Sequence, residues 1–358
     1  MHADCAFREL PVAGRGSLEG MSEEIERSTA RVRFPGISPR AYEHPVDRGA
    51  LAVLRAVPGI GPVLQAVAGA FTERGERLIY VASAIRVGPK QYPDLDRIRL
   101  EAAAALDLDP VPELFVQRDP QVYARTLGID KPFIVLSTGL LELLDNDSRR
   151  FVIGHEMGHV LSGHALYQTI LYRLMELQHG LGWMPAGFWA VRAVIAALLE
   201  WYRKTELSCD RAGLLVCQDP AAALRVHVAL AGGMDLSQVD TAEFLKQAKE
   251  YEQVEDVRDS LLKLIKTWRS THPMAVVRAA ELQRWAAGEQ YREILTGTYP
   301  RRDDDQPTST FTEDIKSAAK SYKDSAQRSE DPLVKVLNEV GDVLVGAADK
   351  VRSKFNGQ

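Results

Sequence analysis

The chain has 358 residues, 46% of them apolar and 26% charged, which suits a soluble globular protein with at least one sizeable core. A net charge of −5 supplies no broad basic field, so general nucleic-acid binding is set aside. Three cysteines (Cys5, Cys209 and Cys217) are too few and odd in number for a disulfide framework and point to a reducing, cytoplasmic setting.

Residues 1–48 are polar and mixed in sign and read as a flexible arm. Their first twenty residues lack an apolar signal core, and Met21 opens a more ordinary start than Met1. Residues 49–72 predict two short apolar helices split at Pro58-Gly59-Ile60-Gly61-Pro62. That hairpin lacks a following cation until Arg74, so a plain turn is preferred to a phosphate-binding one. Neither apolar stretch, the uncharged 56–72 with its prolines and glycines or 180–199 with Arg192 inside it, reads as a spanning helix. Both are candidates for peripheral contact with a bilayer surface.

Residues 78–87 (LIYVASAIRV) predict a strand from their β-branched and aromatic content. A helix follows over 92–106, with Leu95, Ile98, Ala102 and Ala105 on one face. Short strands are expected at 113–117 and 132–137, then one or two helical turns over 138–144. Asn146, Asp147 and Ser148 offer caps for a helix running from 148 through 164 and on towards 177. Further helices are predicted over 188–216, 221–230, 241–269 and 274–287. Residues 301–330 are polar and apolar-poor and read as a linker, and 331–358 regain helical periodicity as an amphipathic tail. The expected division is thus arm 1–48, main domain 49–300, linker 301–330 and tail helix 331–358.

The chemistry concentrates at His155-Glu156-Met157-Gly158-His159. Residues four apart lie one helical turn apart on the same face, so both imidazoles can reach one ion. Glu156 lies beside them, placed to take a proton from a water held at that ion, whose pKa zinc lowers to about 7. Gly154 and Gly158 would let a strand or a substrate backbone approach closely. A catalytic zinc needs a third protein ligand and keeps one position open. Glu206 is the candidate, with Asp210 four residues on and able to hydrogen-bond a ligand imidazole. The competing reading is an exposed acidic face paired with Arg203 or Arg211, and Cys209 is a lesser alternative ligand. His164, about 140° of helical rotation off the ligand face, reads as a structural or surface histidine.

Taken in order, these motifs resemble the M48 peptidases, relatives of the CAAX prenyl endopeptidase and of the HtpX and OMA-type membrane quality-control proteases. The resemblance rests on His-Glu-x-x-His, on Glu206-x-x-x-Asp210, on the strand and turn at 133–141, on Gly163-His164, and on Thr271-His272-Pro273 with Arg278 beyond. It implies that His155, His159 and Glu206 bind zinc, that Glu156 is the general base and that Asp210 supports a ligand. It also implies that His272 and Arg278 lie near the active site, stabilising the oxyanion or gating the metal. Two departures stand out: family members carry an Asn-Ala-Phe-like segment where this chain has Tyr123-Ala124-Arg125-Thr126-Leu127-Gly128, and membrane members have spanning helices that this chain lacks.

The expected protein is therefore α+β and predominantly helical, zincin-like, with a small edge sheet and an HExxH helix. It would be an endopeptidase acting on polypeptides in protein quality control, with one Zn2+ per chain. It would bind no nucleic acid and be cytoplasmic, with peripheral membrane contact. The alternative is a non-proteolytic zinc-binding adaptor that keeps the peptidase fold.

Overall fold

A computed structural model describes residues 31–45, 47, 73–128, 130–180, 185–233, 235–253 and 274–305, and those from Arg33 onward belong to one compact unit. The described elements begin with α1 (Glu73–Ser83), β1 (Ile85–Arg86), α2 (Pro93–Ala105), β2 (Glu113–Gln117), β3 (Ala124–Leu127) and β4 (Phe133–Ser137). They continue with α3 (Thr138–Leu143), α4 (Asn146–Leu161), α5 (His164–Gly180), α6 (Pro185–Cys217) and α7 (Pro220–Ala231). α8 (Thr241–Gln253), α9 (Ala275–Ala286) and α10 (Glu289–Leu295) complete the series. The architecture is the expected one, mostly helical with a small sheet.

The sheet has the order β1-β2-β4-β3, with β2 and β4 parallel and both outer pairs antiparallel. Side chains alternate across it with period two. Leu114, Val116, Ala124, Ile134 and Leu136 enter the main core with Phe151 and Ile153 of α4. Phe115, Leu127, Phe133 and Val135 form a second cluster on the opposite face, against Tyr80 of α1 and Tyr172 of α5. β3 is the edge strand beside β4, in register with it as Ala124↔Leu136 and Leu127↔Phe133, and β1 is the opposite edge.

The strand expected at 78–87 is mostly helix. Arg77, Tyr80 and Ala84 are spaced for a helical face: Arg77 reaches Glu113 with two bonds of 2.5 and 2.7 Å, while Tyr80 and Ala84 pack on the aromatic cluster. The β-branched content that suggested a strand lies outside: Ile79 is 61% and Val81 39% exposed. Strand β3 has no counterpart among the predicted elements, since Ala-Arg-Thr-Leu has little β signature.

The helix expected from 148 to 177 is two helices. Its N-cap is Asp145, whose side chain accepts from Ser148 N at 2.7 Å, not one of the three residues after it. It ends at Ser162 and Gly163, and Gly163 adopts a left-handed φ of 71° that starts α5 in a new direction.

Of the arm predicted over 1–48, residues 1–30 lie outside the described residues, and the part from Phe34 to Tyr42 is packed rather than free. Phe34, Ile37, Ala41 and Tyr42 are buried in the main core, Phe34 N donates to Ala105 O at 2.8 Å, and Ile37 bridges Arg301. The linker expected to begin at 301 is likewise anchored at its start, where Ser38 Oγ donates to Asp305 at 2.7 Å and Arg302 reaches Asp107 at 2.8 Å. The apolar stretch 56–72, the rest of the linker and the tail helix lie outside the described residues, and so does most of 180–199 at side-chain level.

Candidate metal centre

Helices α4 and α6 pack closely against each other, and glycine makes the contact. A Cβ on Gly154 would meet Val216 Cβ at 2.6 Å, and one on Gly158 would meet Ala212 Cβ at 2.7 Å. From the other side, Gly213 admits the Phe151 carbonyl. The close neighbour anticipated for Gly154 and Gly158 is therefore α6, not a strand or substrate. This contact sets the α6 face bearing Glu206 and Asp210 against the imidazoles of α4.

His155 Nε2 and His159 Nε2 lie 3.1 Å apart. Glu206 Oε1 is 3.3 Å from His159 Nε2, and Glu206 Oε2 is 3.7 Å from His155 Nε2. All three residues are buried. Ligands at about 2.05 Å on a tetrahedral ion lie about 3.3 Å apart, so these donors have the spacing of three corners of one coordination shell. Two imidazoles and a carboxylate are also the donor types that zinc accepts, and so the residues fit a metal. The alternative placing of Glu206 on an exposed acidic face is overturned by its burial.

Asp210 Oδ1 is 3.0 Å from His155 Nδ1, the position for holding that ring with Nε2 inward. Arg278 of α9 donates to the same carboxylate through Nε at 2.8 Å and Nη2 at 2.6 Å, and its Nη1 lies 2.9 Å from Glu206 Oε2. His227 of α7 adds a contact to Asp210 Oδ2 at 3.2 Å. Burial by itself would raise the Asp210 pKa, yet the Arg278 guanidinium and His227 hold it well below the usual carboxylate range. Burial also disfavours the charged form of both imidazoles. For His155 the Glu206 and Asp210 carboxylates outweigh burial and raise the pKa to about 9, whereas for His159 burial prevails and lowers it to about 3.

Glu156 points to the edge strand. Thr126 Oγ1 lies 2.6 Å from Glu156 Oε2 and 3.1 Å from its backbone carbonyl. Beside it is a small, partly open cleft lined by Ala124, Leu140, Phe151, Val152, Val226 and Leu230, with His155, Glu156 and Arg278 on its wall. Cys209 stands apart from the Glu206 donor set. Its Sγ is 3.6 Å from His164 Nδ1, and burial raises its thiol well above the ordinary value.

The structure thus brings together His155, Glu156, His159, Glu206, Asp210 and Arg278. His272 lies outside the described residues. Sequence reasoning missed Thr126, Gln168, Tyr202 and His227; His164, read as a structural or surface histidine off the ligand face, is buried and lies against His159. Gln168 Nε2 is 2.8 Å from His159 Nδ1, and the Tyr202 ring stacks on His159 at 6.0 Å and 12°. His164 is only 2% exposed and its Nδ1 is 3.2 Å from His159 Nδ1, because the turn at Gly163 voids the continuous-helix angle. That glycine directly before His164 was the one available signal.

Comparison with known proteins identifies the family. The chain is 33% identical over 277 residues to the plastoglobule-localized metallopeptidase 48 of Arabidopsis thaliana, covering 76% of this chain and 79% of the relative. It is 31% identical over 90 residues to a protease HtpX homolog of Caldanaerobacter subterraneus (25% of this chain, 30% of the relative). Against a Tropheryma whipplei homolog the identity is 28% over 139 residues (32% and 48%), so the chain spans less than half of each HtpX relative. No solved structure matches it. Residues 89–286, more than half of the chain, match peptidase family M48, and with the long match to the Arabidopsis protein this makes the chain a member of that family of metallopeptidases.

Proposed function

We propose that the protein is a zinc-dependent endopeptidase with His155, His159 and Glu206 as metal ligands and Glu156 as general base. The observation that carries this reading is the convergence of His155 Nε2, His159 Nε2 and the Glu206 carboxylate, with contacts of 3.1 Å between the imidazoles and 3.3 and 3.7 Å to the two carboxylate oxygens, in a buried site beside an apolar cleft. Zinc, when bound, supplies Lewis acidity that polarises the scissile carbonyl and brings the pKa of water to about 7. Glu156 takes the proton of the attacking water and passes it to the leaving amine nitrogen. Thr126 holds the Glu156 carboxylate between turnovers. Asp210 keeps His155 in the ligand orientation, and Arg278 holds Glu206 and Asp210 in place. Both carboxylates engage that guanidinium, which favours a positioning role over oxyanion stabilisation. His272 retains the oxyanion or gating assignment that the family resemblance implies.

The substrate is an extended polypeptide pairing with edge strand β3, and one of its apolar side chains enters the cleft. Glu156→Gln is expected to retain one zinc per chain while proteolysis falls by about 10²- to 10⁴-fold. Elemental analysis and a casein digest, with internal peptides identified by mass, test both halves. Undiminished cleavage by the variant would remove Glu156 from its role, and release of single terminal residues would replace endopeptidase by exopeptidase.

A peripheral membrane contact is part of the same proposal. No helix among the described residues is long and apolar enough to cross a membrane. Directly after the apolar stretch 56–72, however, α1 exposes Leu78 at 50% and Ile79 at 61%. The name of the Arabidopsis relative places that protein at plastoglobules. Vesicle co-sedimentation should be reduced by Leu78→Ser with Ile79→Ser, and equal pelleting of both proteins would refute the assignment.

A further inference from the structure

The two ligand imidazoles have different supports. His155 is backed directly by Asp210. Behind His159 stands a second imidazole, with His164 Nδ1 3.2 Å from His159 Nδ1. His164 Nε2 in turn lies 3.3 Å from Asp47 Oδ2. Asp47 is 2% exposed, and its carboxylate accepts from Ser208 Oγ at 2.6 Å. Ser208 Oγ is held by His44 N at 3.0 Å. Asp47 and His44 precede residue 89, where the family match begins.

We propose that Asp47 and His164 form a relay that positions His159 as a metal ligand, so that the N-terminal segment completes a site whose other parts lie in the family-matched region. The proposal rests on the assignment of the ion to His155, His159 and Glu206. An ion at His159 Nε2 leaves the ring proton on Nδ1, which must then donate. The Gln168 amide nitrogen beside it is a donor, which leaves His164 Nδ1 as the acceptor. A neutral imidazole that accepts at Nδ1 carries its proton on Nε2, the nitrogen that faces Asp47. Each tautomer is fixed by the next group, and the chain ends on a buried carboxylate. The Trp201 ring, edge-on to His164 at 5.5 Å and 86°, limits how far that imidazole can turn. His159, His164 and Cys209 could instead hold a second ion, but that would take His164 Nδ1 out of the relay.

The test uses metal affinity of the full chain, measured by competition with a chromophoric zinc chelator, with the cobalt absorption spectrum as a reporter of ligand geometry. Outer hydrogen-bond partners of ligands typically contribute 10- to 100-fold in affinity. His164→Leu should weaken zinc by about that factor, and the near-isosteric Asp47→Asn by about tenfold, each with an altered cobalt spectrum. His164→Asn keeps an acceptor for His159 but no link to Asp47. In that background Asp47→Asn should change nothing further, whereas a merely structural role of Asp47 gives the same loss in both backgrounds.

Wild-type affinity in Asp47→Asn would overturn the relay. So would wild-type affinity in His164→Leu, the result expected if Gln168 turned its amide oxygen to the ring instead. A second zinc equivalent that disappears in Cys209→Ser would also overturn it, by making His164 a ligand. Failure of the wild-type protein to bind zinc would overturn the ligand assignment itself, and is thereby distinct from failure of the relay alone.

Discussion

At Asp210 three neighbours converge on two carboxylate oxygens: His155 and His227 by one ring nitrogen each, Arg278 by two. Such a group survives burial only because its charge is matched and its lone pairs are filled. The planar guanidinium does both for Asp210 and also reaches Glu206, which a compact ammonium cannot do. Arg278→Lys should therefore cost about 3 kcal/mol in urea unfolding of the metal-free protein, and added zinc should recover part of it by supplying positive charge at Glu206. A loss within about 0.5 kcal/mol would show that the pairing contributes little. Cys209 illustrates the opposite case, a potential ligand that burial keeps as a thiol and that sits against His164.

Among the elements, the crossing of α4 and α6 decides the site. Here a partner helix brings Glu206 to the His pair, and the distance between axes is set by what lies at the contact. Gly158 faces Ala212, and Gly154 faces Val216. Gly158→Ala would place a methyl at 2.7 Å from Ala212 Cβ, forcing the helices apart. The expected cost is about 1–3 kcal/mol together with weaker zinc binding, since Glu206 moves with α6. Adding Ala212→Gly should restore both. Recovery of stability without recovery of affinity would uncouple the helix spacing from the ligand geometry. The break between α4 and α5 has a similar consequence. One left-handed glycine redirects the chain so that His164 folds back on His159.

For the molecule as a whole, the segment from Arg33 to Asp47 is part of the structural and chemical unit. Phe34 is fully buried and meets Tyr299 edge-on at 5.9 Å, closing the core where α2 ends. Phe34→Ala should cost about 3–5 kcal/mol in urea unfolding, as for other large core truncations. A cost below about 1 kcal/mol would mean that this segment is only loosely attached. The same segment carries the carboxylate proposed to end the relay behind His159, so stability and metal affinity are linked through it.

The sequence alone determined the HExxH helix and most helix positions, because these follow from spacing along one continuous element, whereas for Glu206 the family resemblance, rather than spacing alone, favours a ligand over an exposed acidic face. His155 and His159 share a face by helical geometry. Glu206 and Asp210 repeat that spacing, and the predicted helices over 188–216 and 221–230 fall close to the observed Pro185–Cys217 and Pro220–Ala231. Tertiary structure decided which neighbours meet across elements. β3 is a strand because β4 supplies its hydrogen bonds, and 73–83 is helical because Arg77 and Tyr80 find partners on the sheet. Asp47 joins the site through His164, Thr126 through Glu156 30 positions on, and His164 through His159 5 positions before it. No local period encodes the first two of these contacts, and the third depends on a single reversal of the backbone at Gly163.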